Sequence, residues 1–230
     1  MRVLGPVRFP GAGGAPVEPS GAMPRRLLAA LALAGPEGRS VAGLTDDLWP
    51  DETPRNPRGA VQMLVSRIRA AAEDGLLGST PTGYRLAGSD LAIAEAAGAE
   101  GALDALALWA GRPGADLDDD GLADELVARA DRARARLLRL AAERLLEEGR
   151  AQEAVPLLEE LVAAAPLDGH PVALLMRALA DSGRTDAALA AFAAHRRPGR
   201  SSSASAPRPP RCWAATRTSP VSPPPCPRTG

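Results

Sequence analysis

Apolar residues recur at helical spacing in the segment from Arg55 to Ala72. They fall three or four residues apart and form a single stripe, made of Val61, Leu64, Val65, Ile68 and Ala72. Asn56 is a residue type that caps helices, and Pro57 suits the first helical position, where a missing N–H costs nothing. We therefore predict an amphipathic helix here, with one buried face and one polar face.

The polar face of this predicted helix carries four arginines and no acidic residue. Arginine, glutamine and asparagine are the side chains that pair with guanine and adenine edges in the DNA major groove. The pattern favours a recognition helix, and the alternative is a solvated basic face on an ordinary helix. The predicted DNA contacts on this segment are Arg55, Asn56, Arg58, Gln62, Ser66, Arg67 and Arg69.

The segments around this helix predict a winged helix-turn-helix with an N-terminal sheet. Two short alternating segments favour strands, two apolar segments favour helices, and a Gly-containing turn near the end favours a hairpin. The predicted elements are strands over Arg2–Phe9 and near Ala15–Pro19, helices over Pro24–Ala34 and Val41–Trp49, and a hairpin with its tip at Thr80–Gly83.

Four residues outside the recognition helix are further candidates for contacts with DNA phosphates. Arg25 and Arg26 open the first helix, where backbone amides and positive charge attract phosphate, although surface solubility explains them equally well. In the hairpin, Thr82 and Arg85 are expected to reach the backbone beside the minor groove. The neighbouring Tyr84 is expected to fill the core, with a contact to DNA as the alternative.

Three motifs cover most of residues 2–87. The second helix carries V-x-x-L-x-x-x-L-W as Val41, Leu44, Leu48 and Trp49. The arginine helix carries R-x-A-[LV]-Q-x-x-V-S-R-[LI]-R as Arg58, Ala60, Val61, Gln62, Val65, Ser66, Arg67, Ile68 and Arg69, and the hairpin carries Gly83–Tyr84. This set resembles the SARP-type transcriptional activators, the antibiotic regulatory proteins of actinobacteria, whose DNA-binding domain is a winged helix of the response-regulator kind.

A second region contains an internal repeat of 34 residues, which is a tetratricopeptide period. Aligning Gly149–Arg150 with Gly183–Arg184 pairs Leu145 with Leu179, Ala154 with Ala188, Val155 with Leu189 and Leu158 with Phe192. The SARP resemblance likewise implies a bacterial transcriptional activation domain with tetratricopeptide-like helix pairs after the winged helix. We therefore expect a mainly α chain with a small β component, divided into a winged helix over 1–88 and a truncated helical domain over 89–197.

Residues 198–230 differ sharply in composition from the rest, with 9 prolines, 6 serines and no acidic residue. We expect this tail to be disordered. Our hypothesis is that a frameshift or a misannotated end replaced the helix that the resemblance implies, because out-of-frame GC-rich DNA encodes such a composition. Reading the other two frames past the Arg197 codon tests it, and the absence of a helix-coding continuation would contradict it.

Composition and charge refine these expectations only a little. Every one of the 27 basic residues is arginine, a bias typical of a GC-rich genome, so arginine content alone says little about function. Residues 1–87 carry 10 arginines against 8 acids, a net charge of +2, whereas residues 88–197 carry 12 against 20, a net charge of −8. A mildly basic N-terminal region followed by an acidic region is compatible with a protein that binds nucleic acid through its N-terminal part.

Other chemistry finds little support in the residues. The acidic run of Asp116, Asp118, Asp119 and Asp120 lacks the glycine and terminal glutamate of an EF-hand loop, so we expect a solvated loop. His170 and His195 have no second ligand at metal spacing. We find no phosphate-binding glycine loop and no nucleophile–base set, and expect no enzyme activity, metal or cofactor.

The apolar run Leu27–Ala34 is too short to span a bilayer, and both cysteines, Cys212 and Cys226, lie in the tail. We therefore expect a cytoplasmic protein with no membrane segment. The resemblance implies a sequence-specific regulator that binds double-stranded DNA and RNA polymerase, forms a homodimer on direct repeats, and activates a secondary-metabolite cluster. The alternative is a helical-repeat interaction module with a non-productive winged helix. It is favoured by the +2 charge, by the truncated second domain and by Gly59, where the family commonly has asparagine.

Overall fold

A computed structural model describes residues 1–118 and 120–196 of the chain. The predicted disorder of residues 198–230 lies outside them. Apart from a 3-10 turn at Gly35–Glu37, the first 88 residues contain five short strands and three α-helices. In chain order these are β1 (Phe9–Pro10), β2 (Pro16–Val17), α1 (Ala22–Ala34), β3 (Arg39–Ser40), α2 (Val41–Leu48), α3 (Pro57–Ala71), β4 (Leu77–Ser79) and β5 (Gly83–Leu86).

Helix α3 forms as its sequence pattern predicts. The Asn56 side chain accepts a hydrogen bond from the Gly59 N–H at 3.0 Å, and Pro57 takes the first helical position. All five residues of the predicted apolar stripe are at most 8% exposed, which confirms the predicted buried face. Helix α2 begins in the same way, because the Ser40 hydroxyl accepts from the Gly43 N–H at 3.1 Å.

The predicted hairpin is confirmed, and it forms part of a larger sheet. Strand β5 lies between β3 and β4, and both pairings are antiparallel. Strand β3 was not predicted, since two residues are too few to show an alternating pattern. A Cβ atom on Gly83 would lie 2.0 Å from the Arg39 carbonyl oxygen, so only glycine allows β3 and β5 to approach this closely.

The predicted strand over Arg2–Phe9 is wrong as a continuous element. Only an isolated bridge between Arg2 and Arg8 and the short β1–β2 pair form there. The intervening N–H groups go to carboxylates: Asp90 accepts from Val3 at 2.8 Å and from Leu4 at 3.1 Å, and Asp116 accepts from Val7 at 2.8 Å. Side chains from distant segments thus replace a strand partner.

Asp90 is itself buried by this arrangement, and its burial raises the pKa of the carboxyl group above its usual value although three backbone N–H groups donate to it.

The remaining elements of the described ranges are helices. The elements are α4 (Asp90–Ala96), α5 (Ala102–Leu106), α6 (Gly121–Glu147), α7 (Ala151–Ala164), α8 (Gly169–Asp181) and α9 (Thr185–His195). The predicted 34-residue repeat is visible in the geometry, because the α6–α7 and α8–α9 turns are built alike. Gly149 and Gly183 have φ angles of 74° and 79° and each is followed by an arginine whose N–H bonds back to a leucine carbonyl, at 2.8 Å for Arg150 and 2.7 Å for Arg184.

A single apolar core joins the winged helix to the first long helix of the repeat. Leu126 and Leu137 of α6 belong to the same buried cluster as Leu27 of α1, Val61 of α3 and Leu91 of α4. A second cluster holds α6, α7, α8 and α9 together. The chain is therefore mainly helical, with a winged helix followed by a tetratricopeptide-like part, whereas the boundary at residue 88 stays a prediction.

Candidate nucleic-acid interface

The outward face of α3 and the residues just before it carry polar side chains that the protein does not use internally. Arg55, Arg58 and Arg67 are exposed, and within the described ranges none of them makes a hydrogen bond or an ion pair. Gln62 and Ser66 are exposed beside them. Such groups are free to pair with base edges or phosphates without first breaking an internal contact.

Asn56 differs from the other predicted contacts on this segment. Its side chain is exposed, but the amide oxygen already accepts the Gly59 N–H as the helix cap. The amide nitrogen has no recorded acceptor among the described residues, so Asn56 can present a donor while it caps the helix. Its predicted contact is therefore limited to groups that accept a hydrogen bond.

Acidic residues that precede α3 in sequence do not neutralise its arginines. Asp47 pairs with Arg39, with two bonds of 2.8 and 2.9 Å. Asp51 and Glu52 are exposed and make no ion pair in the part of the chain that the structure describes. The positive charge on the α3 face consequently remains uncompensated by contact.

Arg69 lies against the hairpin and stabilises it through hydrogen bonds. Its guanidinium donates to the Leu77 carbonyl at 2.9 and 3.2 Å and to the Ser79 hydroxyl at 3.1 Å. It also lies 5.7 Å from the ring centroid of the half-buried Tyr84. Arg69 therefore connects α3 to both strands of the hairpin, a role that the sequence pattern did not reveal.

The hairpin tip is held close to the start of α2. The Val41 N–H donates to the Thr82 carbonyl at 3.0 Å, and the Thr80 hydroxyl accepts from Gly83 at 2.9 Å. The side chains of Thr82 and Arg85 remain exposed, and Arg85 has no ion-pair partner in the region described. The hairpin thus presents one hydroxyl and one cation at a fixed place beside α3.

Arg25 and Arg26 differ from the exposed arginines of α3, because each of them forms an ion pair within the protein. The Arg25 Nε lies 3.0 Å from an Asp116 oxygen. Arg26 is only 8% exposed, forms an ion pair with Asp120, and donates to the Asp47 carbonyl at 2.7 Å. Arg26 is therefore not free for the phosphate contact that the sequence predicts, whereas Arg25, whose side chain is 26% exposed and is engaged through Nε, stays a candidate.

Two residues of the acidic run before α6, Asp116 and Asp120, are therefore not solvated as we predicted, and Asp119 lies outside the described residues. Asp116 accepts the Val7 N–H and pairs with Arg25, while Asp120 caps α6 by accepting from Leu122 at 3.0 Å and pairs with Arg26. Two carboxylates of the run fasten α1 to the start of α6, whereas Asp118 is exposed.

Two arginines of α6 complete this connection, and sequence reasoning missed both. Arg129 forms two bonds with Glu95, at 2.5 and 2.9 Å, and also donates to the Leu33 carbonyl. Arg136, seven residues later on the same helix face, donates to the carbonyls at the end of α4, at 2.8 Å for Glu95 and for Ala97. The seven-residue spacing of the two arginines is the signal that the sequence offers, but the residues that they contact lie far away in sequence.

Metal and membrane chemistry have no visible site in the described ranges. No three side chains of the metal-ligating types come together there. His170 lies 3.5 Å from Glu143, and His195 lies 3.2 Å from the Pro166 carbonyl. None of the helices in these ranges combines the length and the apolar character needed to cross a bilayer.

Comparison with known proteins places this geometry in context. The model of the bacterial transcriptional activator domain matches residues 85–201. The regulatory protein AfsR of Streptomyces coelicolor is 36% identical over 217 residues, and AfsR of Streptomyces griseus is 34% identical over 223 residues. Each match covers 85% of this chain but 22% of the relative, so the chain spans about a fifth of the length of these relatives.

A solved structure has a similar fold. The structure of Mycobacterium tuberculosis EmbR in complex with a low-affinity phosphopeptide superposes with a TM-score of 0.64 and 25% identity. The match covers 84% of this chain and 57% of that chain. The similarity therefore extends over both the winged helix and the helical repeat.

Proposed function

We propose that this chain, which belongs to the SARP-type transcriptional activators and carries their bacterial transcriptional activator domain, binds double-stranded DNA in a sequence-specific manner. The observation that carries the proposal is the α3 face, where Arg58, Gln62 and Arg67 are exposed and free of internal partners. Arginines elsewhere in the winged helix, such as Arg26 and Arg39, are paired with acids. The unpaired groups thus concentrate where a groove-reading helix needs them.

In the proposed complex, α3 enters the major groove and the hairpin lies against the adjacent minor groove. A major groove about 12 Å wide admits one helix, and arginine or glutamine side chains on that helix can pair with base edges. Arg55 and Asn56 lie at the N-terminal end of α3, where they would meet phosphates. Thr82 and Arg85 would contact the backbone from the hairpin.

The charge of the helical part favours different binding partners for the two regions. Residues 88–197 carry a net charge of −8, which repels phosphate, so DNA is steered to the α3 face rather than to the repeat. We propose that this acidic repeat contacts RNA polymerase and that two copies bind direct repeats. The proposed targets are promoters of secondary-metabolite genes, in keeping with membership of the SARP-type family.

A salt titration tests the DNA-binding proposal. In fluorescence anisotropy of the full chain against a direct-repeat promoter duplex, the logarithm of the affinity should fall linearly with the logarithm of salt concentration. Arg139→Ala on α6 is the matched control for a substitution on the α3 face such as Arg67→Ala, because Arg139 is also exposed but lies outside that face. Absence of salt-dependent binding at low ionic strength would leave the alternative, a helical-repeat interaction module with a non-productive winged helix.

A further inference from the structure

One apolar side chain stands at the crest of the α3 face. With 100° between successive residues, the positions directly opposite the buried stripe are Gly59, Met63, Ser66 and Ala70. Met63 is the only one of these with a long side chain, and it is 53% exposed. Among residues 1–88, all of which the structure describes, it is the only large apolar side chain left exposed.

The neighbours of Met63 allow it to approach the floor of a groove. Gly59 and Ser66, one helical turn before and after it, are too small to hold the α3 backbone away from a ligand. Gln62 and Arg67 flank it on the two sides of the crest, and both are exposed. An apolar group therefore lies at the centre of the exposed side of the helix, between two side chains that can form hydrogen bonds.

The chemistry of a thioether side chain restricts what it can cover. Met63 has no N–H or O–H to offer, so covering a base nitrogen or carbonyl would remove its water without replacing the hydrogen bond. The C5-methyl group of thymine is the apolar group that base edges present in the major groove. We propose that Met63 is a specificity-determining residue that packs on a thymine methyl group, an inference that rests on the proposed DNA binding.

The test uses the full chain and duplexes recovered by selection from a randomised library. Each thymine of the selected site is replaced in turn by deoxyuridine, which lacks only the C5-methyl group. One such replacement should weaken binding of the unmodified protein about fourfold, the effect of one buried methyl group. Met63→Ala should bind the thymine duplex about as weakly and should no longer distinguish thymine from deoxyuridine at that position.

Two further variants separate base reading from a general effect. Met63→Leu keeps an apolar side chain and should keep most of the thymine preference. Ile93→Ala removes an equally exposed apolar side chain on α4 and should leave binding and the thymine preference unchanged.

The outcomes distinguish the inference from the function on which it rests. In one outcome, the protein selects a site at which every deoxyuridine replacement changes the affinity of the unmodified protein and of Met63→Ala to the same extent. That result overturns the Met63 inference, while DNA binding stands. If no duplex is selected and binding shows no salt dependence, both are overturned.

Discussion

The arginines of α1 and those of α3 have the same chemistry and opposite roles. Arg26 on α1 is almost completely buried and pairs with Asp120, whereas Arg67 on α3 is exposed and has no partner among the described residues. Both are candidates for DNA contacts in the sequence. What separates them is the position of an acid far along the chain, so only the folded structure shows which cation is still free.

This difference extends to the two regions as wholes. Around α1, α4 and α6, guanidinium groups such as those of Arg129 and Arg136 fasten elements together through carboxylates and helix-end carbonyls. Around α3, three exposed arginines have no such partner within the described ranges. We call the contacts of Arg26, Arg129 and Arg136 between α1, α4 and α6 the seam. The seam consequently stabilises the protein, and the α3 face is available for recognition.

The largest expected effect comes from breaking the seam. Arg26→Ala leaves Asp120 without its ion-pair partner and removes the bond to the Asp47 carbonyl, so the free energy of unfolding should fall by about 3 kcal/mol. Urea denaturation followed by circular dichroism measures it. Arg67→Ala is the control and should stay within about 0.5 kcal/mol of the unmodified protein, as exposed substitutions do. Equal losses in both variants would contradict the comparison.

The reverse pattern is expected for DNA affinity. Arg67→Ala should weaken binding by about 1–3 kcal/mol at one base pair if this side chain reads a base. If it contacts a phosphate instead, affinity should fall alike for all sequences and the salt slope should decrease by about one unit. Anisotropy titrations at several salt concentrations distinguish the two cases. Unchanged affinity with unchanged salt slope would remove Arg67 from the proposed interface.

Arg69 belongs to neither set, and its substitution sharpens the distinction. Lysine keeps the charge but lacks the planar fork that reaches both Leu77 and Ser79. If Arg69 mainly braces the hairpin, Arg69→Lys and Arg69→Ala should each lower the free energy of unfolding by about 1 kcal/mol and weaken DNA binding similarly. Affinity retained by Arg69→Lys and lost in Arg69→Ala would instead indicate direct contact with DNA phosphates.

Local features were predictable from the sequence because their causes are local. The cap at Asn56, the apolar stripe of α3 and the turn glycines Gly149 and Gly183 depend on residues a few positions apart. The Arg2–Phe9 segment was mispredicted because its N–H groups bond to Asp90 and Asp116. Period and propensity contain no information about partners that distant.

The same limit applied to the candidate site. The exposed residues of α3 follow from the helical period, and the structure finds them exposed. The engagement of Arg25, Arg26 and Arg69 could not be foreseen, because each partner belongs to a separate element. Contacts between elements decide which candidate side chains remain available.

The smallest expected effect concerns Gly59, which lies on the exposed side of α3 near its cap. A Cβ atom there would lie 2.6 Å from the Asn56 amide nitrogen, but that group ends a flexible side chain and can shift. Removing glycine from a helix should therefore raise the free energy of unfolding by about 0.5–1 kcal/mol, measured by urea denaturation. A loss of stability in Gly59→Ala would show that the cap requires glycine. A gain in the free energy of unfolding would show that glycine makes α3 less stable at an exposed position, away from the contacts that join α1, α4 and α6.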